Sequence, residues 1–90
     1  MASVRIPTVL RKHTNGESRL CVDGNTVGEV FTNVVTDHPG LGDSLFDGRA
    51  LRGFINVYVA DEDIRYLDGL GTSVEGDDEI VIMPAVAGGA

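Results

Sequence analysis

The sequence predicts an α+β domain, a mixed β-sheet with one main helix packed on one face, and three observations carry that prediction. A single apolar stripe, Val27, Val30, Phe31, Val34 and Val35, recurs at helical spacing. Two alternating segments joined around Asn15-Gly16 come before it. Two apolar runs, Phe54 to Val59 and Glu79 to Met83, come after it. A lone amphipathic helix needs a second layer to bury its stripe, and the flanking strands supply one.

Residues Ser3 to Leu10 alternate, with Val4 and Ile6 on one face, and read as the first strand. Pro7 has no N–H to give to a ladder, so it marks a bulge or the end of that strand. His13-Thr14-Asn15-Gly16 reads as the hairpin turn, because Asn-Gly accepts positive φ at both central positions. Ser18 to Val22 is the returning strand, with Leu20 and Val22 sharing a face. After the turn Asp23-Gly24-Asn25, Thr26 and Glu29 form a capping box, which satisfies free N–H groups at a helix start. The helix must end near Asp37-His38-Pro39-Gly40, where proline and glycine both oppose its continuation.

Leu41 to Gly53 is a polar, glycine-punctuated connection anchored by Leu45, Phe46 and Leu51, with room for one short helical turn. Phe54 to Val59 is apolar enough to lie inside a sheet. Asp61-Glu62-Asp63 reads as an acidic turn and Ile64 to Tyr66 as a short strand. Gly69, Gly71 and Gly76 break up the following loop. Glu79 to Met83 is the last strand, stopped by Pro84. The order strand, strand, helix, strand, strand, strand is the β-grasp layout. Residues 1–84 make its body, and 85–90 form a tail of small side chains with no folding signal, expected to be flexible.

The net charge of −7 disfavours nucleic acid, whose phosphates an acidic surface repels. Four of the seven basic residues fall before position 20 and thirteen of the fourteen acids after it, so the acidic portion is expected to meet basic surfaces on protein partners. No apolar run approaches membrane-span length and no signal peptide is evident, so the chain reads as cytoplasmic. A single cysteine excludes an internal disulfide and four-cysteine zinc or iron–sulfur sites.

No catalytic constellation appears, and the chain is read as a non-enzyme. His13 and His38 fall in predicted turns without partners at metal spacing and read as solvated. Asp61, Glu62 and Asp63 are consecutive in a turn and point different ways, so no metal site is assigned. Cys21, between Leu20 and Val22, reads as a packing cysteine. The feature left over is the end, Val86-Ala87-Gly88-Gly89-Ala90. Glycines without Cβ let a chain thread a narrow channel at whatever φ the channel demands. A carboxylate becomes an acyl donor once adenylated, and a sulfur nucleophile can then replace the adenylate to leave a thiocarboxylate.

The stretches Ile6 to Arg11, Asp23 to Gly28, Phe54 to Arg65 and Met83-Pro-Ala-Val-Ala-Gly-Gly89 resemble the ThiS/MoaD-type sulfur carriers, bacterial relatives of ubiquitin. Within that family they resemble the CysO-type carriers of cysteine biosynthesis. The resemblance implies a ubiquitin-like fold with no cofactor bound by this chain. It implies that Gly89 is adenylated and carries the thiocarboxylate, while Val86, Ala87, Gly88 and Gly89 thread a partner's active site.

The partners so implied are a ubiquitin-activating-type adenylyltransferase/sulfurtransferase using ATP, a pyridoxal-phosphate cysteine synthase or another sulfur-accepting enzyme, and a zinc metalloprotease of the JAMM type. Similar carriers serve thiamin, molybdopterin or thiosugar synthesis. Carriers of this type end at the second glycine, so Ala90 is expected either to be trimmed or to be foreign to the native end. Phe54, Tyr58 and Met83 are the candidate docking residues, placed on the sheet face away from the helix or else in the core. The free chain is expected to be a monomer. A ubiquitin-like modifier conjugated through the same tail is the alternative.

Overall fold

A computed structural model describes residues 2–48, 50–53 and 55–84 of the 90-residue chain. Five strands form one sheet in the order β2-β1-β7-β5-β6. These are β1 (Ala2–Arg5), β2 (Arg19–Val22), β5 (Ile55–Val59), β6 (Glu62–Asp63) and β7 (Glu79–Pro84). β1 runs parallel to β7 and every other pair is antiparallel, so the sheet is mixed as predicted. The main helix α1 (Val27–Asp37) follows β2. A short helix α2 (Gly40–Leu45) then leads into a two-stranded ribbon of β3 (Phe46–Asp47) and β4 (Ala50–Leu51).

The α1 stripe behaves as its spacing requires. Val27, Val30, Phe31 and Val34 are fully buried, while Val35 is half-buried. They pack with Val4, Leu20, Val57, Ile80 and Ile82 in one core, and Phe46 adds an edge-on ring 6.2 Å from Phe31. The cap is formed as predicted at one end: the Glu29 N–H donates to Thr26 Oγ1 at 3.1 Å. The other half is displaced by one residue, with Glu29 Oε1 accepting from the Asn25 N–H at 3.1 Å. The helix stops at Asp37, where His38 leaves helical geometry ahead of Pro39.

Four predicted elements differ. The first strand ends at Arg5, and Thr8–His13 is a 3-10 helix that buries Leu10. Pro7 fixes that change, since its carbonyl accepts the Leu10 N–H at 2.9 Å and starts the turn. Asn15 and Gly16 do take positive φ, 57° and 86°. They serve to close this helix rather than to make a two-residue hairpin, because the Gly16 N–H returns to the Arg11 carbonyl. Buried Thr14 donates its hydroxyl to the Glu17 carbonyl at 2.7 Å and completes the turn. Ile64–Tyr66 is likewise a 3-10 segment and not a strand, because Asp63 Oδ1 accepts the Arg65 N–H and bends the chain. Finally, the Leu41–Gly53 connection holds more structure than its glycines suggest: Leu41 and Leu45 of α2 are fully buried.

Candidate functional site

Strand alternation places odd and even residues of each strand on opposite faces. The core takes Val4, Leu20, Val57, Ile80 and Ile82, so their neighbours define the face away from α1. Register then fixes a row across the sheet: Arg19 opposite Arg5, Arg5 opposite Val81, Val81 opposite Tyr58, and Tyr58 opposite Asp63. A second row joins Cys21, Ser3 and Glu79, and a third pairs Asn56 with Met83. Tyr58 is half-buried and Met83 is 53% exposed, so two of the three predicted docking residues lie together on this open face. Phe54 lies outside the described residues.

The sequence reading missed the charge on this face. Arg5, Arg19 and Arg65 stand against Asp63 and Glu79, so the acidic surplus of the chain lies elsewhere. Arg19 reaches Glu79 at 3.5 Å, and the small Ser3 side chain lies in the row between their strands. Arg65 is pinned beside Tyr58. Its Nη2 donates to Asp63 Oδ2 at 3.1 Å and to Asn56 Oδ1, and its backbone N–H donates to Asp63 Oδ1 at 2.8 Å. The Arg65 side-chain bond, followed by its backbone N–H, holds the Asp63 carboxyl below its ordinary value, and Asp63 raises the Arg65 guanidinium in return. The signal that could have found these arginines was parity: each occupies the position opposite in phase to a buried neighbour.

Other predicted residues are also relocated. Cys21 is exposed on the open face, the reverse of a packing role, because Leu20 and Val22 take the core side of β2. His13 is not a solvated turn residue. It is half-buried against α2, with Nε2 3.3 Å from Ser44 Oγ. A Cβ on Gly40 would fall 2.6 Å from its Nδ1, so glycine is needed there for the contact. Asp63 belongs to β6 rather than to a turn, while Ala60 and Asp61 take the positive φ values of the bend. Among the described residues no cluster of three or more His, Cys, Asp or Glu could hold a metal ion, and no helix is long and apolar enough to cross a membrane.

The predicted reactive end, Val86, Ala87, Gly88, Gly89 and Ala90, lies outside the described residues. What the structure fixes is its point of departure. β7 is the central strand of the sheet, and Pro84 pairs with Ile55 at the start of β5. Met83, immediately before it, faces the open side. The segment 85–90 therefore follows directly from the strand that carries Val81 and Met83, with no intervening element.

Comparison with known proteins places this geometry. The profile of the ThiS family matches residues 4–89. The sulfur carrier protein CysO of Mycobacterium bovis is 40% identical over 90 residues, covering 97% of each chain. A chain of the Amycolatopsis orientalis BexX/CysO complex superposes with a TM-score of 0.93 at 44% identity, covering 98% of this chain and 99% of that one. The small archaeal modifier protein 1 of Methanosarcina acetivorans gives a TM-score of 0.85 at 31% identity, covering 97% and 94%. The ubiquitin-like β-grasp architecture expected from the element order is thereby established.

Proposed function

Since this chain belongs to the ThiS family, we propose that it is a sulfur carrier, a substrate passed between enzymes rather than a catalyst. The observation that carries the reading is that the family match runs through residue 89, so it takes in the Gly88-Gly89 pair together with the body that presents it. The Gly89 carboxylate attacks the α-phosphorus of ATP on an activating adenylyltransferase and releases pyrophosphate. A sulfide equivalent then attacks the acyl carbon, AMP departs, and a thiocarboxylate remains. That anion is a soft nucleophile suited to an electrophilic carbon on a sulfur-accepting enzyme. In the CysO-type version the acceptor is a pyridoxal-phosphate cysteine synthase acting on an activated serine, and a JAMM-type zinc protease releases the new cysteine. ATP, pyridoxal phosphate and zinc all sit on the partners.

The body supplies recognition. Tyr58, Val81 and Met83 form an apolar strip leading to the tail, flanked by Arg5 and Arg19. Such a strip with a charged rim suits a protein interface, and the activating enzyme is its assigned occupant. For chemistry at Gly89 that residue must bear the free carboxylate, so the form ending in Ala90 is inactive until Ala90 is removed.

The test is intact-mass analysis after incubation with an activating enzyme, ATP and a sulfide source. A chain ending at Gly89 should gain sulfur in place of oxygen, the form ending in Ala90 should not, and a chain lacking residues 88–90 should fold but stay unmodified. Sulfur incorporation into that truncated chain would refute the proposal. A second reading, conjugation to protein amines through the same tail, draws on the similarity to small archaeal modifier protein 1. It predicts Gly89-dependent mobility shifts of many cellular proteins, which a dedicated carrier would not give.

A further inference from the structure

We propose that the free edge of β2 pairs antiparallel with β2 of a second copy of this chain, with the two-fold axis at Cys21. Three independent features converge on that arrangement. The first is the direction of the backbone. β2 is an edge strand among the described residues. The Ile6 N–H donates to the Ser18 carbonyl at 2.8 Å, which makes residues 18, 20 and 22 the ones bonded to β1. By the alternation of an antiparallel ladder, the N–H and C=O groups of Arg19 and Cys21 point outward from the sheet.

The second feature is how this edge is guarded. Exposed strand edges are ordinarily blocked by proline, a bulge, a covering loop or charge. β2 has no proline and pairs with β1 in unbroken register; its guards are its four-residue length and the charge of Arg19, which the register below sets opposite an acid. Backbone pairing ends at Val22, because Asn33 Nδ2 donates to the Asp23 carbonyl at 2.8 Å, so Asp23 enters the contact with its side-chain charge alone.

Charge sets the register. Only pairings of odd with odd residues keep both cores on the same side and oppose outward groups with outward groups. Centring on Arg19 sets two guanidinium groups face to face. Centring on Leu20 sets Glu17 against Asp23 of the other copy. Centring on Cys21 sets Arg19 against Asp23 of the other copy, twice, and pairs Leu20 with Val22 on the core side. Arg19 is free to make this contact, since its side chain is 63% exposed despite the bridge to Glu79.

A four-residue strand pair is far smaller than a standard stable interface, so the association is concentration-dependent and the dilute chain stays monomeric. The two β7 strands run in opposite directions in this dimer, and both open faces remain accessible.

Cys21 reports on the register. Its two Cα atoms would be about 5.5 Å apart across a hydrogen-bonded pair, within bridging range. Sedimentation equilibrium on the full chain should show a monomer–dimer equilibrium at high concentration, and oxidation by glutathione disulfide at that concentration should trap a Cys21–Cys21 dimer. Arg19→Asp or Asp23→Arg alone should weaken dimerisation about fivefold, and the double substitution should restore it. Circular dichroism verifies that each variant folds. A chain that stays monomeric throughout would overturn the proposal. So would a dimer that does not trap through Cys21, or a double variant no better than the single ones.

Discussion

Along β7, Ile80 and Ile82 are sealed in the core while Val81 and Met83, their immediate neighbours, remain accessible on the opposite face. The same contrast runs along β1 and β2, where Val4 and Leu20 are buried and Arg5 and Arg19 are exposed. One set of strands therefore builds two surfaces under different constraints. The side toward α1 is specified by volume and shape, because packed interiors leave little slack. The open side carries no such packing constraint, and under the function proposed above it answers to the partner that docks on it. Substitutions on the first side should be read in stability, and substitutions on the second in transactions with other proteins.

The largest effect expected is from Phe31→Ala. The ring is fully buried and meets Phe46 edge-on, so truncation leaves a cavity beneath α1. Urea unfolding should report a loss of about 3–5 kcal/mol. A loss below about 1 kcal/mol would mean that the covered side is far less tightly packed than the contrast requires. Gly24→Ala comes next. A Cβ there would lie 2.7 Å from both the backbone N and a γ-methyl of Val30, so β2 and the start of α1 must separate. Overpacking of that kind costs about 1–3 kcal/mol. Thr26→Ala removes the hydroxyl that accepts the Glu29 N–H, together with the γ-methyl, and should cost about 1 kcal/mol. On the open side, Met83→Ser should stay within about 0.5 kcal/mol of the parent while weakening capture by the activating enzyme in a binding assay. If it altered stability and left capture unchanged, the division between the two faces would fail.

How much of this could be seen in the sequence follows the same division. α1 was legible because burial, periodicity and capping agree over eleven residues from Val27 to Asp37. The mixed sheet followed, since a stripe of that width needs a layer to cover. Local conformation was misread wherever a side chain or a proline redirected the backbone. Pro7 turned an apparent strand into a 3-10 helix, and the Asp63 carboxylate did the same to Ile64–Tyr66. Leu41 escaped notice because its flanking glycines look like loop, although His13 packs against Gly40 and helps to seat α2. The candidate site was half legible. Tyr58 and Met83 were singled out with the open face and the core both left open, and the arginines beside them come from three separate strands or turns. Only cross-strand register brings Arg5 and Arg19 into line with Val81 and Tyr58.

The smallest effect expected concerns Asp63 and Arg65, and it tests whether the open face is organised in solution. Asp63 sits below its ordinary value of 3.8 because Arg65 donates to it from both side chain and backbone. A carboxyl with a depressed folded-state pKa favours the native state above its unfolded value, and that contribution disappears as pH falls through the folded value. Arg65 is exposed and Asp63 is half-buried at the edge of the sheet, so the consequence belongs to local order and should hardly register in global unfolding. Carboxyl titration by NMR should place the Asp63 midpoint below the ordinary carboxylate value of 3.8, and Arg65→Gln should move it back up. The Asn56 side-chain resonances should shift with the same midpoint, since the guanidinium that binds Asp63 also donates to Asn56 Oδ1. If Asp63 instead titrated at its ordinary value and Asn56 were indifferent to it, the arginine would be loose. The open face would then be a set of independent side chains and not a surface with a fixed pattern for a partner to read.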